Sequence, residues 1–337
     1  MKRWIGLRRS ALLGVALGAG YGVFTRVVFS ADPLQGVFLL MTVSFLVVVP
    51  IVIGYLTVHP VERPSWKYRL LAPWLPCTLS VATAWLVGWE GAICIVISLP
   101  LLLVLSSVGG LAAGIQRNRR AGHAAVVACL PFLLAPIEGR VPQPVRTQRN
   151  VTEIVVNAPV EAVWPEVVEV PAIAEREQRA ALHTRLGFPQ PVSAELTRPG
   201  TGGIRYARFE GGVLFIETIT AWEEGRRIAF TIDAQTDSIP PTTLDPHVTI
   251  GGEYFDVLDG EYVLEPIDGG RTRIILTSSH RLSTHLNAYA GLWAGIIMRS
   301  IQDNILEIVR ERAERRAGAS GSGFPQGGRR GSSVEGL

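Results

Sequence analysis

Between Thr284 and Arg316 apolar residues return every three or four positions, at Leu286, Tyr289, Trp293, Ile297, Ile301, Ile305 and Ile308. That period marks one face of an α-helix. Ser283 or Thr284 stands where a hydroxyl can accept from an orphan backbone N–H at its start. The other face turns polar only late, at Gln302, Asp303, Glu307, Arg310, Glu311 and Glu314. The stretch from Ala288 to Met298 therefore has almost no side suited to water and must be covered on most sides. At about 1.5 Å per residue the helix is on the order of 50 Å long, too long for one small core, so its charged end is expected to project into solvent.

The rest of the chain divides in two. Residues 1–150 hold fourteen Lys and Arg against four Asp and Glu, whereas residues 151–337 hold eighteen against twenty-five. The overall charge of +3 thus hides a basic half and an acidic half in different surroundings. In the basic half the cations form short clusters between long apolar runs, which is membrane-protein usage and argues against nucleic acid as a partner. The runs are Ala11–Phe29, Leu34–Thr57, Leu70–Val87, Ala92–Ile115 and Ala121–Ile137. A bilayer core of roughly 30 Å asks for about this length. The basic start resembles a signal peptide, but no small-x-small cleavage site followed by a soluble domain appears, so residues 1–138 are expected to be an uncleaved region of about five transmembrane helices.

Gly14, Gly18 and Gly22 fall at four-residue spacing and leave one helix face open to close approach. Pro50 is expected to kink the second run. Trp66, Trp74, Trp85 and Trp89 bracket the third like interfacial anchors. The basic clusters are the N-terminus, Arg63–Lys67–Arg69 and Arg117–Arg119–Arg120, and they alternate with the nearly cation-free connections at Asp32 and Glu90. The positive-inside rule then predicts a multi-pass inner-membrane protein with a cytoplasmic N-terminus. With five spans the second half is extracytoplasmic; with four it stays in the cytoplasm. Five is preferred, because the uncharged fifth run needs burial. No ionisable residue sits in mid-span, so nothing marks a transport pathway, and the spans read as an anchor.

Cys77, Cys94 and Cys129 all lie within apolar runs and offer neither zinc spacing nor a disulfide framework. No metal or cofactor motif is visible: no Gly-rich phosphate loop, nucleophile elbow or helical His pair.

Residues 139–150 read as a linker. After them come a strand at Val151–Val156, a short helix at Val160–Val170 and a second helix at Pro171–Leu186. Strands follow around Ser193–Thr197, Gly203–Phe209, Val213–Ala221, Arg227–Asp233, Tyr254–Pro266 and Arg271–His280. Gly211-Gly212, Glu224-Gly225 and Asp268-Gly269-Gly270 favour tight hairpins. This order defines an α+β domain over residues 151–316 with an antiparallel sheet gripping the long helix. The tail from 317 to 337 is Gly/Ser-rich and expected to be disordered.

The segments VVNAPVEAVWPEVVEV, GGIRYARFEGGVLFIETITAWEEGRRIAFTI and GRTRIILTSSHRLSTHLNAYAGLWAGIIMRSIQDNILEIVRERAE resemble the START-like (SRPBCC) superfamily, which includes polyketide cyclases and lipid-transfer domains. The resemblance spans about residues 150–316 and concerns fold pattern rather than a catalytic motif. It implies a helix-grip fold with a deep cavity, commonly holding an apolar ligand, between the sheet and the last helix. The membrane half departs from the family.

The long connection Thr236–Gly252 holds Asp237, Asp245 and His247, followed by Glu253 and Tyr254, and loops of this length at a cavity often carry recognition or chemistry. His280 ends the last strand. If His247 or His280 meets Glu253 or Asp245, the pair suits proton transfer, although such histidines more often bond their own backbone or cap a junction. Arg205, Arg208 and Glu217 alternate with apolar neighbours and face either solvent, the commoner case for an Arg–Glu pair, or the cavity. Tyr206, Arg208, Glu217, Tyr254, Tyr289 and Trp293 are the candidate ligand contacts. The expected function is a membrane-anchored module that binds, senses or transfers a lipid or other hydrophobic small molecule. The alternative is a cyclase, dehydratase or hydrolase working in the same cavity.

Overall fold

A computed structural model of the chain describes residues 2–31, 40–116, 121–235 and 249–321. The N-terminal region is all helical: α1 (Lys2–Phe29), a π-helical turn (Ser44–Val48) running into α2 (Val49–Val58), α3 (Trp66–Leu71), α4 (Trp74–Leu86), α5 (Ala92–Ile115) and α6 (Ala121–Glu138). Pro50 stands where the π-helical turn passes into α2, so its missing N–H falls at the change from one hydrogen-bond pattern to the other. The strain it puts on the preceding turn is taken up by the π-helical widening before it. The expected third run is likewise broken, into α3 and α4, at Pro73.

The helices alternate in direction. Gly14 and Gly18 of α1 face Thr57 and Gly22 faces Ile53, so α2 runs against α1; Gly18 also meets Pro76 and Gly22 meets Ser80, so α4 runs with it. The expected smooth face is thus used on two sides. Gly54 and Gly109 let α2 and α5 cross backbone to backbone. Tyr21 donates to the Ala128 carbonyl at 2.8 Å and stacks edge-on against Phe132, which aligns α6 with α1. At the top, Glu138 accepts from the Ser44 amide at 2.8 Å and the Ser44 hydroxyl at 2.7 Å, capping the π turn. Two of these helical stretches, Arg8–Phe29 and Ala92–Ile115, are long and apolar enough to cross a membrane; Ser44–Val58 and Gly122–Glu138 are shorter and apolar.

The C-terminal part is an α+β helix-grip domain. Its strands are β1 (Val145–Val156), β2 (Pro191–Leu196), β3 (Ile204–Phe209), β4 (Leu214–Glu223), β5 (Arg227–Ala234), β6 (Phe255–Ile267) and β7 (Arg271–Ser283), and its helices α7 (Val160–Val168), α8 (Leu182–Arg185) and α9 (Asn287–Gly321). All seven strands form one antiparallel sheet in the order β1-β7-β6-β5-β4-β3-β2, curled around α9. Thr284 and Asn287 cap α9 reciprocally: the Thr284 amide donates to the Asn287 side chain at 2.9 Å, and the Leu286 amide donates to the Thr284 hydroxyl at 3.1 Å.

Several expectations change. β1 begins at Val145, inside the expected linker, because its inward polar residues are held by α9: Asn150 donates to the Gly295 carbonyl at 3.0 Å and Thr152 to Gln302 at 2.8 Å. The helix expected over Pro171–Leu186 shrinks to α8 and a single 3-10 turn (Glu175–Glu177). Strand β2 holds this segment extended instead, with the Val170 amide bonded to Ala194 and the Ile173 amide to Val192, each at 2.8 Å.

The charged end of α9 does not project as a whole. Leu306, Val309 and Ala313 are part of the core together with Val156, Val163, Trp164, Ile228, Leu264 and Ile274. Arg312 is clamped by Glu177 at 2.8 Å, and exposed residues predominate only from Arg315, with Ala317 still packed against the core. The apolar first half is where cover is missing, with Leu292 60% and Ile296 40% exposed.

Candidate functional site

The interior of the grip is filled on one side and hollow on the other. Around α7 and the second half of α9 it is solid hydrophobic core. Beneath the first half of α9 lies a cavity of about 430 Å³. Leu276, Ser278, Tyr289, Trp293, Ile297 and Ile301 contribute to its walls, and so do Gly22, Phe45, Ile53, Cys77, Ala84 and Ile97 of the helical region. One apolar space therefore runs from the concave sheet into the groove between α1, α2, α4 and α5. At the junction the Tyr289 hydroxyl donates to the Ile97 carbonyl at 2.5 Å, and Gly187 lies against Ile93.

Two ion pairs interrupt this lining. In the domain, Arg205 Nε donates to Glu217 Oε2 at 2.5 Å, and the Arg205 Nη1 donates to the Val167 carbonyl at 2.9 Å. The guanidinium lies over the rings of Phe230 at 4.4 Å and Tyr262 at 5.8 Å. Gly260 makes room for Phe230, since a Cβ there would lie 2.5 Å from the ring. Burial pushes the Glu217 carboxyl up from its ordinary range, and the Arg205 charge pulls it back. Tyr262 is driven to about 12, by burial first and by Glu217, with Arg205 opposing. The second pair is Arg26 Nε to Glu90 Oε1 at 2.6 Å, where α1 ends and α5 begins; Arg26 also donates to the Trp89 carbonyl at 2.9 Å.

The expected ligand contacts divide cleanly. Glu217, Tyr254, Tyr289 and Trp293 line the cavity. Tyr206 and Arg208 do not, because strand alternation turns Arg205 and Ala207 inward and leaves these two on the outer face. There Arg208 pairs with Glu195 at 3.2 Å. The solvent-facing reading of Arg205 and Glu217 is overturned by the same alternation: the pair points inside, with side chains only 4% and 8% exposed.

His247 and Asp245 lie outside the described residues. His280 is fully buried against Phe255 at 5.6 Å between ring centres, does not line the cavity, and has no hydrogen-bond partner on either ring nitrogen among the described residues. Glu253 is exposed, and the structure does not bring it to His280. No group of three or more His, Cys, Asp or Glu converges as a metal site among the described residues. Sequence reasoning missed the Arg26–Glu90 pair. Its signal was one cation and one anion at the same predicted end of two apolar runs.

No protein-family model matches this chain, and no curated protein matches it. Solved structures do. The Zhui aromatase/cyclase from Streptomyces sp. R1128 is 17% identical over 52% of this chain and 99% of its own, with a TM-score of 0.32. An uncharacterized protein from Rhizobium leguminosarum is 16% identical over 52% of this chain and 99% of its own, with a TM-score of 0.31. A protein from Thermus thermophilus is 19% identical over 52% of this chain and all of its own, with a TM-score of 0.30.

Proposed function

We propose that this chain is a membrane-anchored binding module that takes a lipid or other hydrophobic small molecule from the bilayer into its helix-grip domain, to bind, sense or transfer it. The observation that carries this reading is the single apolar cavity shared by the sheet, α9 and the helical region. A water-soluble ligand would need no such continuity with the apolar helices, whereas an acyl or prenyl chain can slide along it without meeting water. The outward faces of the helices support the membrane setting: Leu12, Leu86, Val104, Val126, Leu133 and Ile137 are each more than 60% exposed. Patches of that extent are rare on soluble monomers. Leu292 and Ile296 extend this apolar exterior onto α9.

In this reading α1, α2, α4, α5 and α6 are the five spans. Arg8, Arg9, Arg63, Lys67 and Arg69 belong to the end away from the domain, while Glu90 and Glu138 belong to the domain end. The positive-inside rule then puts the N-terminus in the cytoplasm and the domain outside the inner membrane.

The test is to purify the full chain in mild detergent and extract it for mass spectrometry. A stoichiometric lipid-like molecule distinct from the bulk membrane profile is expected, as is retention of the protein in the membrane fraction after an alkaline carbonate wash. Protein free of any such molecule, or released by the wash, would overturn the proposal.

A further inference from the structure

Resting on that reading, the cavity also says what its ligand should look like. Among the described residues, its lining holds four ionisable side chains of ordinary charge, Arg26, Glu90, Arg205 and Glu217. Each cation is closed onto one anion, at 2.6 Å and 2.5 Å. Every charge is thereby spent inside the protein. Arg205 has its remaining contacts with the Val167 and Val168 carbonyls and two aromatic faces, and Arg26 with the Trp89 carbonyl and ring. A carboxylate or phosphate drawn into this space would be a fifth charge, without a counter-ion unless it broke a pair and stranded the displaced glutamate. Buried charges without partners are among the most expensive groups a protein can hold.

The uncharged polar groups on the wall are of a different kind. Ser278 and Gln302 bond to each other at 3.0 Å, and Thr284 lies close to the start of α9. Hydroxyl and amide groups of this sort can satisfy one alcohol or carbonyl without charge.

We infer that the cavity selects an electrically neutral lipid, a long hydrocarbon bearing a hydroxyl or carbonyl group, and rejects fatty-acid and phosphate-bearing amphiphiles of the same chain.

The experiment uses the detergent-solubilised full chain at pH 8 with two probes of the same chain length, neutral hexadecanol and anionic hexadecanoate, read by thermal shift and by native mass spectrometry. Hexadecanol should bind and hexadecanoate should bind at least about tenfold more weakly, the equivalent of about 1.4 kcal/mol. Glu90→Gln leaves Arg26 unpaired and should narrow or reverse that ratio. Glu217→Gln should do the same at Arg205, and Glu90→Gln keeps the test open if the Glu217 variant does not fold. Wild-type protein that takes hexadecanoate as well as hexadecanol, or a ratio unmoved in Glu90→Gln, overturns the neutral-ligand inference alone. Binding of neither probe, with an empty cavity on extraction, overturns the binding reading and this inference with it.

Discussion

Arg205 and Glu217, on neighbouring strands β3 and β4, meet at 2.5 Å inside the cavity with almost no exposure to water. Register places them opposite each other, so the pair is fixed by the sheet itself and not by side-chain searching. A buried pair of this kind contributes little net stability, yet breaking it is costly because one charge is left uncompensated. Glu217→Ala is expected to destabilise the chain by about 3–5 kcal/mol, and the double change Arg205→Met with Glu217→Leu to recover most of that loss. Chemical unfolding in detergent measures both. A single variant as stable as wild type would show that the pair is not closed as described.

The crossing of α2 and α5 gives a sharper steric test. A Cβ on Gly54 would collide with the Ser106 carbonyl, and one on Gly109 with the Ile51 carbonyl, and backbone cannot step aside as a flexible side chain can. Gly20 on α1 has nothing within 4 Å of such an atom. Gly109→Ala should therefore cost at least about 1–3 kcal/mol as an overpacked site. Gly20→Ala should be neutral or gain up to about 1 kcal/mol from helix propensity. Equal effects at the two positions, in thermal melts of the solubilised protein, would rule out the close crossing.

Glu177 fastens the 171–179 segment to α9. Hydrogen bonding from Arg312, ahead of the Ala174 amide and Arg315, holds its carboxyl down from an ordinary 4.5 to about 2, against the opposing effect of burial. A folded-state value below the unfolded one means stability that is present above about pH 4.5 and lost as pH falls toward 2. Over the range from pH 6 to 3 the wild type should lose stability more steeply than Glu177→Gln, which has no carboxyl to protonate. Parallel profiles would show that the clamp is not electrostatic.

His280 carries the opposite kind of group through the same logic. Burial lowers its pKa, and His183 behaves alike, with the Ser300 contact opposing. The unfolded chain therefore takes up the proton first, near pH 6.5, and stability present above that value is lost as pH falls below it. His280→Leu also removes two buried nitrogens that lack partners among the described residues, each a cost of about 1–3 kcal/mol in principle. The variant should be at least as stable as wild type at pH 7 and should show a flatter decline from pH 7 to 5. A steeper decline would mean that His280 is charged and held by a group outside the described residues.

How much of this was legible in sequence depended on whether the local pattern had one reading. The strands flanking Gly211-Gly212, Glu224-Gly225 and Asp268-Gly269-Gly270 were plain, because alternation and turn chemistry agree there. The face that each strand turns inward was not plain in β3. Arg205 and Arg208 are both charged, and only the phase set by Ala207 and the partner Glu217 separates them. The start of β1 was hidden for a related reason: Asn150 looks like a linker residue until α9 supplies its hydrogen bond at the Gly295 carbonyl. The segment after Pro171 has helix-forming composition, but its backbone is claimed by β2. The union of the two halves into one cavity has no local signal, since Ile97 and Tyr289 are 192 residues apart in the chain.

Ile301 offers the cleanest way to separate the cavity from the fold. It lies on α9 among the cavity walls, one turn beyond Ile297 and before the buried Leu306 begins the solid core. Trp in its place adds bulk in the direction of open space rather than packed side chains. Overpacking a filled core costs about 1–3 kcal/mol, whereas filling a void commonly gains about 0.5–2 kcal/mol. The sign of the stability change therefore reports whether the space is empty. Ile301→Trp should raise the melting temperature and at the same time abolish the thermal shift given by hexadecanol. Leu306→Trp, in the packed half of the same helix, should lower the melting temperature and leave the probe's binding ratio unchanged in the fraction that folds. Destabilisation by both substitutions would mean that the grip is solid throughout and holds no guest.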